Sequence, residues 1–272
     1  MGEIKYGCQT YTWQMSYEVY SQKLKAIMGV ISDSGLSGIE PEICMLGAYN
    51  NAPEKLAIDL EKESLTLSAM CLVCDWRENG ESAAERVEAD RVIDMLKKHF
   101  PGTLLALCQM PGNDREHLRT RQDNCIACIS DIGQRAADAG VLSAFHPNSP
   151  EGSVFRTQED YTYLIDKLNT EIVGFAPDFG HIARGGMDPV DLCRQYVSEI
   201  RHVHFKDMSK KGVWAEMGNG TIDFRGIVNV LADAGYDGWI MVEDESPRAE
   251  VEPDAVTLEN GDFIKRVFLR GD

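Results

Sequence analysis

The sequence predicts an α/β fold, a (β/α)8 or TIM barrel that spans residues 1–272 as a single domain. Short apolar runs alternate with amphipathic segments along the whole chain, and there are eight such pairs. Dividing 272 residues by eight gives 34 residues per pair, which suits βα units. No linker or low-complexity stretch interrupts the sequence of pairs. Right-handed crossovers would therefore close the strands into one barrel.

The first half of the chain supplies four of these pairs. Its strands are predicted at residues 4–10, 38–40, 65–73 and 103–110. Its helices are predicted at residues 17–32, 53–64, 82–99 and 124–140. Within the third helix we expect Val87 and Val92 on the buried face. Gly35 and Gly140 are placed where glycine commonly ends a helix.

The second half of the chain supplies the other four pairs. Its strands are predicted at residues 141–146, 172–177, 200–205 and 239–243. Its helices are predicted at residues 157–169, 188–197, 223–235 and within 254–269. Asp188 and Pro189 suit the cap and the first turn of the helix that they precede.

The overall composition excludes some classes of partner. The net charge of −17 and the pI of about 4.8 would repel a phosphate backbone, so we expect no nucleic-acid partner. The N-terminal residues lack an apolar signal core, and no run approaches membrane-spanning length. We therefore expect a cytoplasmic protein with no membrane partner. The eight cysteines, including two pairs with CxxC spacing, lack zinc-knuckle turn residues and are predicted to be reduced and buried.

Metal-competent side chains end the last four predicted strands. They are His146, Asp178, His204 and Glu243, each about one βα unit from the next. The carboxyl ends of barrel strands meet at one mouth, so the four should converge there. Each has an ordinary explanation as a strand cap, a helix cap or a surface carboxylate, but their convergence favours a metal site. Two imidazoles and two carboxylates suit Mn²⁺, Co²⁺, Zn²⁺ or Fe²⁺ better than Ca²⁺.

His202 and His204 compete for the interior position on the seventh strand. We expect one of them to face the barrel interior and the other the helix layer. His204 is the choice for the interior, because Lys206 would then share its face near the rim.

Several motifs resemble those of the sugar phosphate isomerase/epimerase-like superfamily of xylose isomerase-like TIM barrels. They are PDFGHIARGG, IRHVHFKD, the stretch from WAEMGNG to GYDGW, and IMVEDE. The resemblance implies one divalent metal, usually Mn²⁺, held by residues of strands five to eight, and a dimer or tetramer. Asp178, His204 and Glu243 match three ligand positions. The chain departs at His146, where ketose epimerases and isomerases of this group carry Glu, and the sequence around it is most similar to inosose dehydratases.

The resemblance implies a lyase, a dehydratase acting on a keto-polyol such as 2-keto-myo-inositol. In this hypothesis Mn²⁺ is preferred, Co²⁺, Mg²⁺, Zn²⁺ or Fe²⁺ can replace it, and Glu243 removes the proton beside the carbonyl. His181 and Lys206 bind or protonate substrate oxygens, although Lys206 could instead form an ion pair with nearby carboxylates. The candidate substrate-binding residues are Glu40, Gln109, His181, Trp214 and Glu216.

Three alternatives stay open. The first is a ketose isomerase or 3-epimerase that uses the same enediolate. The second is a keto-glycoside lyase, which would expel an aglycone instead of water. The third is a barrel that binds a sugar without catalysis, since a fold does not fix a function. An endonuclease IV-like activity is disfavoured by the acidic charge of the chain.

Overall fold

The computed structural model describes residues 3–269 and shows a parallel β-barrel surrounded by helices. The strands, in chain order, are β1 (Lys5–Gln9), β2 (Gly38–Glu40), β3 (Thr66–Leu67), β4 (Ala69–Cys74), β5 (Leu104–Gln109), β6 (Ser143–His146), β7 (Val173–Phe175), β8 (Val203–Phe205), β9 (Asp207–Met208), β10 (Trp214–Ala215) and β11 (Trp239–Val242). Strands β3 and β4 are two parts of one predicted strand, broken at Ser68. Strands β9 and β10 form an antiparallel hairpin in the loop after β8.

The remaining strands close into the predicted barrel. Strand β1 pairs in parallel with β2 and β11, β11 pairs with β8, and β4 to β7 pair in sequence order. Parallel bridges complete the ring, joining Phe175 to Ile200 and Glu42 to Cys71. The TIM barrel prediction is confirmed. That the whole of residues 1–272 is one domain stays a prediction.

Helices cover the outside of the barrel. In chain order they are α1 (Tyr11–Gln14), α2 (Tyr17–Tyr20), α3 (Leu24–Asp33), α4 (Pro53–Lys62), α5 (Ala83–His99), α6 (Leu118–Asp138), α7 (Gln158–Lys167), α8 (Phe179–Arg184), α9 (Pro189–Tyr196), α10 (Phe224–Asp233) and α11 (Pro253–Ile264). A 3₁₀ segment covers Ile43–Asn51, and a π-helical turn covers Lys265–Leu269. None of the helices within residues 3–269 is both long and apolar enough to cross a membrane.

Several sequence predictions differ from the structure. The first predicted helix, 17–32, is two helices, α2 and α3. Helix α8 and the β9–β10 hairpin were not predicted, because both are short insertions at the carboxyl ends of strands. Val87 is 70% exposed: on α5 the buried stripe contains Ala89 and Val92, and Val87 lies on the other side of the helix from Ala89. All eight cysteines are free, but Cys44 is exposed and Cys108 is half-buried, so the expectation of burial is wrong for those two.

Small side chains fill part of the barrel interior. A compact cluster on the strands from β4 to β7 includes Ala69, Cys71, Ala106 and Ala144, together with Ala176 just after β7. These side chains occupy less space than the branched residues typical of barrel layers. We infer that they leave room at the carboxyl ends of the strands, where a cavity opens.

Candidate metal centre

Four buried side chains at the carboxyl ends of β6, β7, β8 and β11 converge, and we call them the metal centre. They are His146, Asp178, His204 and Glu243. One potential ligand atom from each lies within 4.8 Å of those from the other three. A parallel bridge between Asp178 and His204 fixes part of this register. The structure thus brings together all four residues that the sequence proposed as metal ligands.

Three atoms of this centre lack hydrogen-bond partners within the described part of the chain. They are both ring nitrogens of His146 and Oδ2 of Asp178, and Nε2 of His146 lies 3.8 Å from that oxygen, too far for a hydrogen bond. The other oxygen, Oδ1 of Asp178, accepts the backbone N–H of His181 at 2.8 Å and caps α8. Burial and His204 lower the pKa of His146, but the raising effects, among them those of Asp178 and Cys108, together bring it to about 9. Buried polar atoms without hydrogen bonds are costly, so these potential ligand atoms fit a bound cation.

His204 is held from both sides of its ring. Its Nδ1 lies 3.3 Å from Oε2 of Glu243, and its Nε2 lies 3.0 Å from Oε2 of Glu40. The same Glu40 oxygen bonds Nε2 of His202 at 2.7 Å. Burial lowers the pKa of His204, but Glu40 and Glu243 outweigh it and raise it to about 10. Glu40 therefore orients the imidazole and leaves Nδ1 facing the metal centre.

This arrangement corrects two sequence predictions. Glu40 is fully buried behind the histidines and does not line the cavity, so it is not placed to bind a substrate hydroxyl. His202 faces the barrel interior together with His204, not the helix layer. Residues two apart along an extended strand point to the same side, so the expected alternation of this pair was a parity error. Glu40, His202 and His204 also form a second buried group with metal-competent atoms.

Lys206 is fully buried among carboxylates next to the metal centre. Its Nζ lies 2.6 Å from Oε1 of Glu243 and 3.4 Å from Oδ2 of Asp178, and it also donates to Glu245. Burial lowers the pKa of Lys206, but Asp178, Glu243 and Glu245 outweigh it and raise it well above its usual value. Burial raises the pKa of Glu243, but Lys206 and His204 lower it to about 2. Lys206 is thus a stable ammonium in an ion-pair network, as one of the two sequence interpretations proposed.

His181 connects Lys206 to the wall of the cavity. Its Nε2 lies 3.2 Å from the ammonium of Lys206, and its Nδ1 lies 2.7 Å from Oγ of Ser149. Burial and the charge of Lys206 lower the pKa of His181 to about 3, so its imidazole is neutral near pH 7. An ammonium can only donate, so we assign the ring proton to Nδ1. A Cβ at Gly180 would lie 2.7 Å from the carbonyl oxygen of Lys206, so glycine allows this close approach.

A cavity of about 690 Å³ opens beside the metal centre. Its wall includes His146, His181, His204, Glu243 and Gln109. Gln109 also donates from Nε2 to the backbone oxygen of Asp75 at 3.0 Å, which holds its amide in place. Glu245 lines the cavity as well, although its place in the sequence did not single it out. Its position two residues beyond Glu243 on the same acidic run was the available signal.

Trp214 and Glu216 do not line this cavity, contrary to the sequence prediction. Trp214 instead packs edge-on against His181, with 5.5 Å between the ring centroids, and lies under the guanidinium of Arg184 at 4.7 Å. It reaches this position on the β9–β10 hairpin. Asp207 anchors the segment that follows by accepting the backbone N–H groups of Gly218 and Gly220 at 2.9 Å and of Ile222 at 3.4 Å. Trp214 therefore supports His181 from outside the cavity.

Comparison with known proteins gives both sequence and structural relatives. Residues 29–267 match the family described as xylose isomerase-like TIM barrel. An inosose dehydratase of Clostridium botulinum (strain Alaska E43 / Type E3) is 28% identical over 168 residues, which are 55% of this chain and 56% of that protein. The rhizopine catabolism protein MocC of Rhizobium meliloti is 33% identical over 143 residues, 46% of this chain and 43% of that protein. The matches thus span about half the length of these curated relatives.

Solved structures show the same fold at low identity. The IolI protein, whose crystal structure is described as having a binding zinc atom, has a TM-score of 0.79 at 15% identity, with 98% of this chain and 100% of that chain covered. The 3-keto-D-glucoside 4-epimerase YcjR from E. coli has a TM-score of 0.71 at 16% identity, with 94% and 99% covered. These likenesses establish the architecture of the barrel.

Proposed function

The chain belongs to the xylose isomerase-like TIM barrel family, and from this premise we propose that it is a divalent-metal-dependent carbohydrate lyase. Its reaction would be the removal of water from a keto-polyol such as 2-keto-myo-inositol, and partial matches to inosose dehydratases support this choice. The observation that carries the proposal is the metal centre itself. The ring nitrogens of His146 and Oδ2 of Asp178, which accept no hydrogen bond from residues 3–269, lie buried beside a sugar-sized cavity and the ammonium of Lys206.

A divalent cation would be held by His146, Asp178, His204 and Glu243. Two imidazoles and two carboxylates favour Mn²⁺, our preferred ion, or Co²⁺, Zn²⁺ or Fe²⁺ over Ca²⁺. When bound, the ion would supply Lewis-acid polarisation of substrate oxygens. The orientation of His204 by Glu40 is of the kind that raises metal affinity in other proteins, where a carboxylate holds the far nitrogen of a ligating histidine.

Glu243 and Lys206 can move the protons that the elimination requires. Glu243, at the cavity wall, would take the proton from the carbon beside the carbonyl. Lys206 is buried behind the cavity wall, so its proton would reach the departing hydroxyl through Glu245, which lines the cavity and accepts a hydrogen bond from Lys206; the hydroxyl leaves as water. The two groups lie 2.6 Å apart, so Glu243 can then return its proton to Lys206 and restore both charges. The neutral His181 accepts a hydrogen bond from Lys206 and holds the ammonium in place.

An isomerase or 3-epimerase using the same enediolate is the alternative within this family. Epimerisation moves a proton from one face of a carbon to the other, and two carboxylates of the metal centre, both at the cavity wall, would suit that work. Here His146 stands where ketose epimerases carry a carboxylate. Asp178 is fully buried and does not line the cavity, whereas Glu243 does. One carboxylate of the metal centre is therefore within reach of substrate, which favours elimination.

Mass spectrometry of the Mn²⁺-loaded protein in D₂O tests this proposal. The substrates would be 2-keto-myo-inositol and a panel of ketoses, with His204→Ala and the exposed His99→Ala as matched variants. We expect metal-dependent loss of one water in wild type and His99→Ala, and none in His204→Ala. Deuterium uptake without loss of water would show an isomerase or epimerase instead. If wild type neither exchanges nor eliminates, the lyase proposal is wrong for these substrates and a binding role gains support.

A further inference from the structure

The cavity beside the metal centre has a second wall of different character. Opposite the metal centre, on the arc of the barrel from β2 to β5, the cavity is lined by Ile43, Leu72, Val73, Met110 and Pro111, which we call the apolar wall. A single six-membered polyol ring, bound at the metal centre, would fill only part of 690 Å³. Hydroxyl groups placed against the apolar wall would lose hydrogen bonds to water without replacement.

A second cavity borders the apolar wall. A neighbouring cleft of about 520 Å³ shares Val73, Glu88 and Met110 with the first cavity. The side chain of Met110 at this junction is 52% exposed. Methionine is flexible and polarisable, and it adapts to ligands of varied shape. The two cavities border the same three side chains and together reach from the metal centre to α5; we call them the groove.

The charges along this groove select against anionic groups. Its outer part carries Glu42, Glu88 and further carboxylates at Asp75, Glu78 and Glu85. The cation that lines the outer cleft is Arg77, which is paired with Asp75 at 2.7 Å. Arg91, next to Glu88, is bonded to that carboxylate at 2.6 Å. Arg184 lines the inner cavity but packs over Trp214. A phosphate or carboxylate in the outer part would meet Glu78 and Glu85, which form no ion pair with the described residues.

Resting on the proposed function, we infer that the substrate is a keto-sugar bearing an uncharged apolar or aromatic substituent, a keto-glycoside whose aglycone lies against the apolar wall. The keto ring occupies the metal centre, and the aglycone extends over Val73 and Met110 towards α5. This assignment narrows the substrate class from free keto-polyols to conjugated ones. The aglycone would also cover the exposed side chain of Met110.

A matched pair of ligands tests the aglycone directly. Phenyl and methyl 3-keto-β-D-glucopyranoside differ only in the aglycone, and their dissociation constants with the Mn²⁺-loaded protein would be measured by calorimetry. We expect the phenyl compound to bind at least about tenfold more tightly, because burial of an aromatic ring is worth more than roughly 1.4 kcal/mol. Met110→Glu and Val73→Glu should each remove this preference while leaving the affinity for the methyl compound within about twofold.

The control variant is Val87→Glu, which places the same carboxylate on α5 at a side chain that does not line either cavity. It should keep the phenyl preference. Equal affinities of the two glucosides for wild type, or a preference that survives both Met110→Glu and Val73→Glu, would overturn the inference while leaving a metal-dependent lyase intact. Failure to bind either glucoside, with 2-keto-myo-inositol still turned over, would also overturn it. Failure with every keto-sugar would overturn the proposed function as well.

Discussion

The two sides of the cavity differ in how their side chains are held. At the metal centre every side chain is buried and tied to a strand end, and Lys206 joins its carboxylates to His181. On the apolar wall, Val73 and Met110 are partly exposed and make no polar network. The first arrangement fixes a few reactive atoms in place, whereas the second offers an adaptable surface. We infer that chemistry and substrate choice are separated on opposite arcs of one barrel.

Asp178→Asn tests this separation, and of the variants considered it should have the largest effect. Asparagine caps a helix about as well as aspartate, so α8 should persist while the negative charge is lost. We expect the affinity for Mn²⁺ to fall by more than about a hundredfold, which exceeds the loss typical when a residue that only hydrogen-bonds a ligand is changed. Turnover should disappear with it. Equilibrium dialysis with elemental analysis measures the bound metal.

The matched control for this change is Asp188→Asn. Asp188 caps α9 through Oδ1 as Asp178 caps α8, but on the surface. It should keep full metal affinity and activity. Equal behaviour of the two variants would mean that Asp178 acts only as a cap, and the metal centre would lose one of its members.

A second change, Lys206→Met, separates proton transfer from metal binding within the metal side. We expect kcat to fall by about 10²–10⁴ while Mn²⁺ stays bound, because the ammonium that supplies the proton for the leaving oxygen is gone. Steady-state kinetics at saturating Mn²⁺ measures this, with circular dichroism to check folding. The exposed Lys210→Met should behave as wild type. A kcat within about twofold of wild type would reduce Lys206 to a structural ion pair.

A smaller effect is expected from Glu40→Gln, which removes the negative charge of the side chain that holds Nε2 of His204. Metal affinity should fall by about 10–100-fold, the usual effect of losing such a partner, and excess Mn²⁺ should restore kcat. Glu42→Gln is the control, because Glu42 lies two residues further on and lines the cavity instead. If both variants bind Mn²⁺ like wild type, Glu40 does not orient a ligand. A kcat that stays low at saturating Mn²⁺ would give Glu40 a direct role in turnover.

The barrel and the metal centre could both be predicted from sequence for one reason. In a parallel barrel the residue that ends each strand faces the same mouth, so strand assignment alone places His146, Asp178, His204 and Glu243 together. The positions of the strands can be assigned without knowing the loop conformations. The predicted strands therefore lie within a few residues of their observed bounds.

Contacts across the barrel were not visible in the sequence. Glu40 and His202 are 162 positions apart and meet only when the strands close into a ring. The hairpin that carries Trp214 is a local insertion without a strong apolar period, so its path could not be inferred. The division of the cavity into a metal centre and an apolar wall likewise depends on loop conformations after β2 and β5. Residues tied to regular strands were therefore predicted better than those on loops.

Anomalous diffraction from crystals soaked in Mn²⁺ tests the central claim most directly. We predict one strong peak enclosed by His146, Asp178, His204 and Glu243, with Nδ1 of His204 as the ligating nitrogen and Nε2 still bonded to Glu40. A peak among Glu40, His202 and His204 instead, or no peak at this mouth of the barrel in metal-saturated protein, would contradict the account.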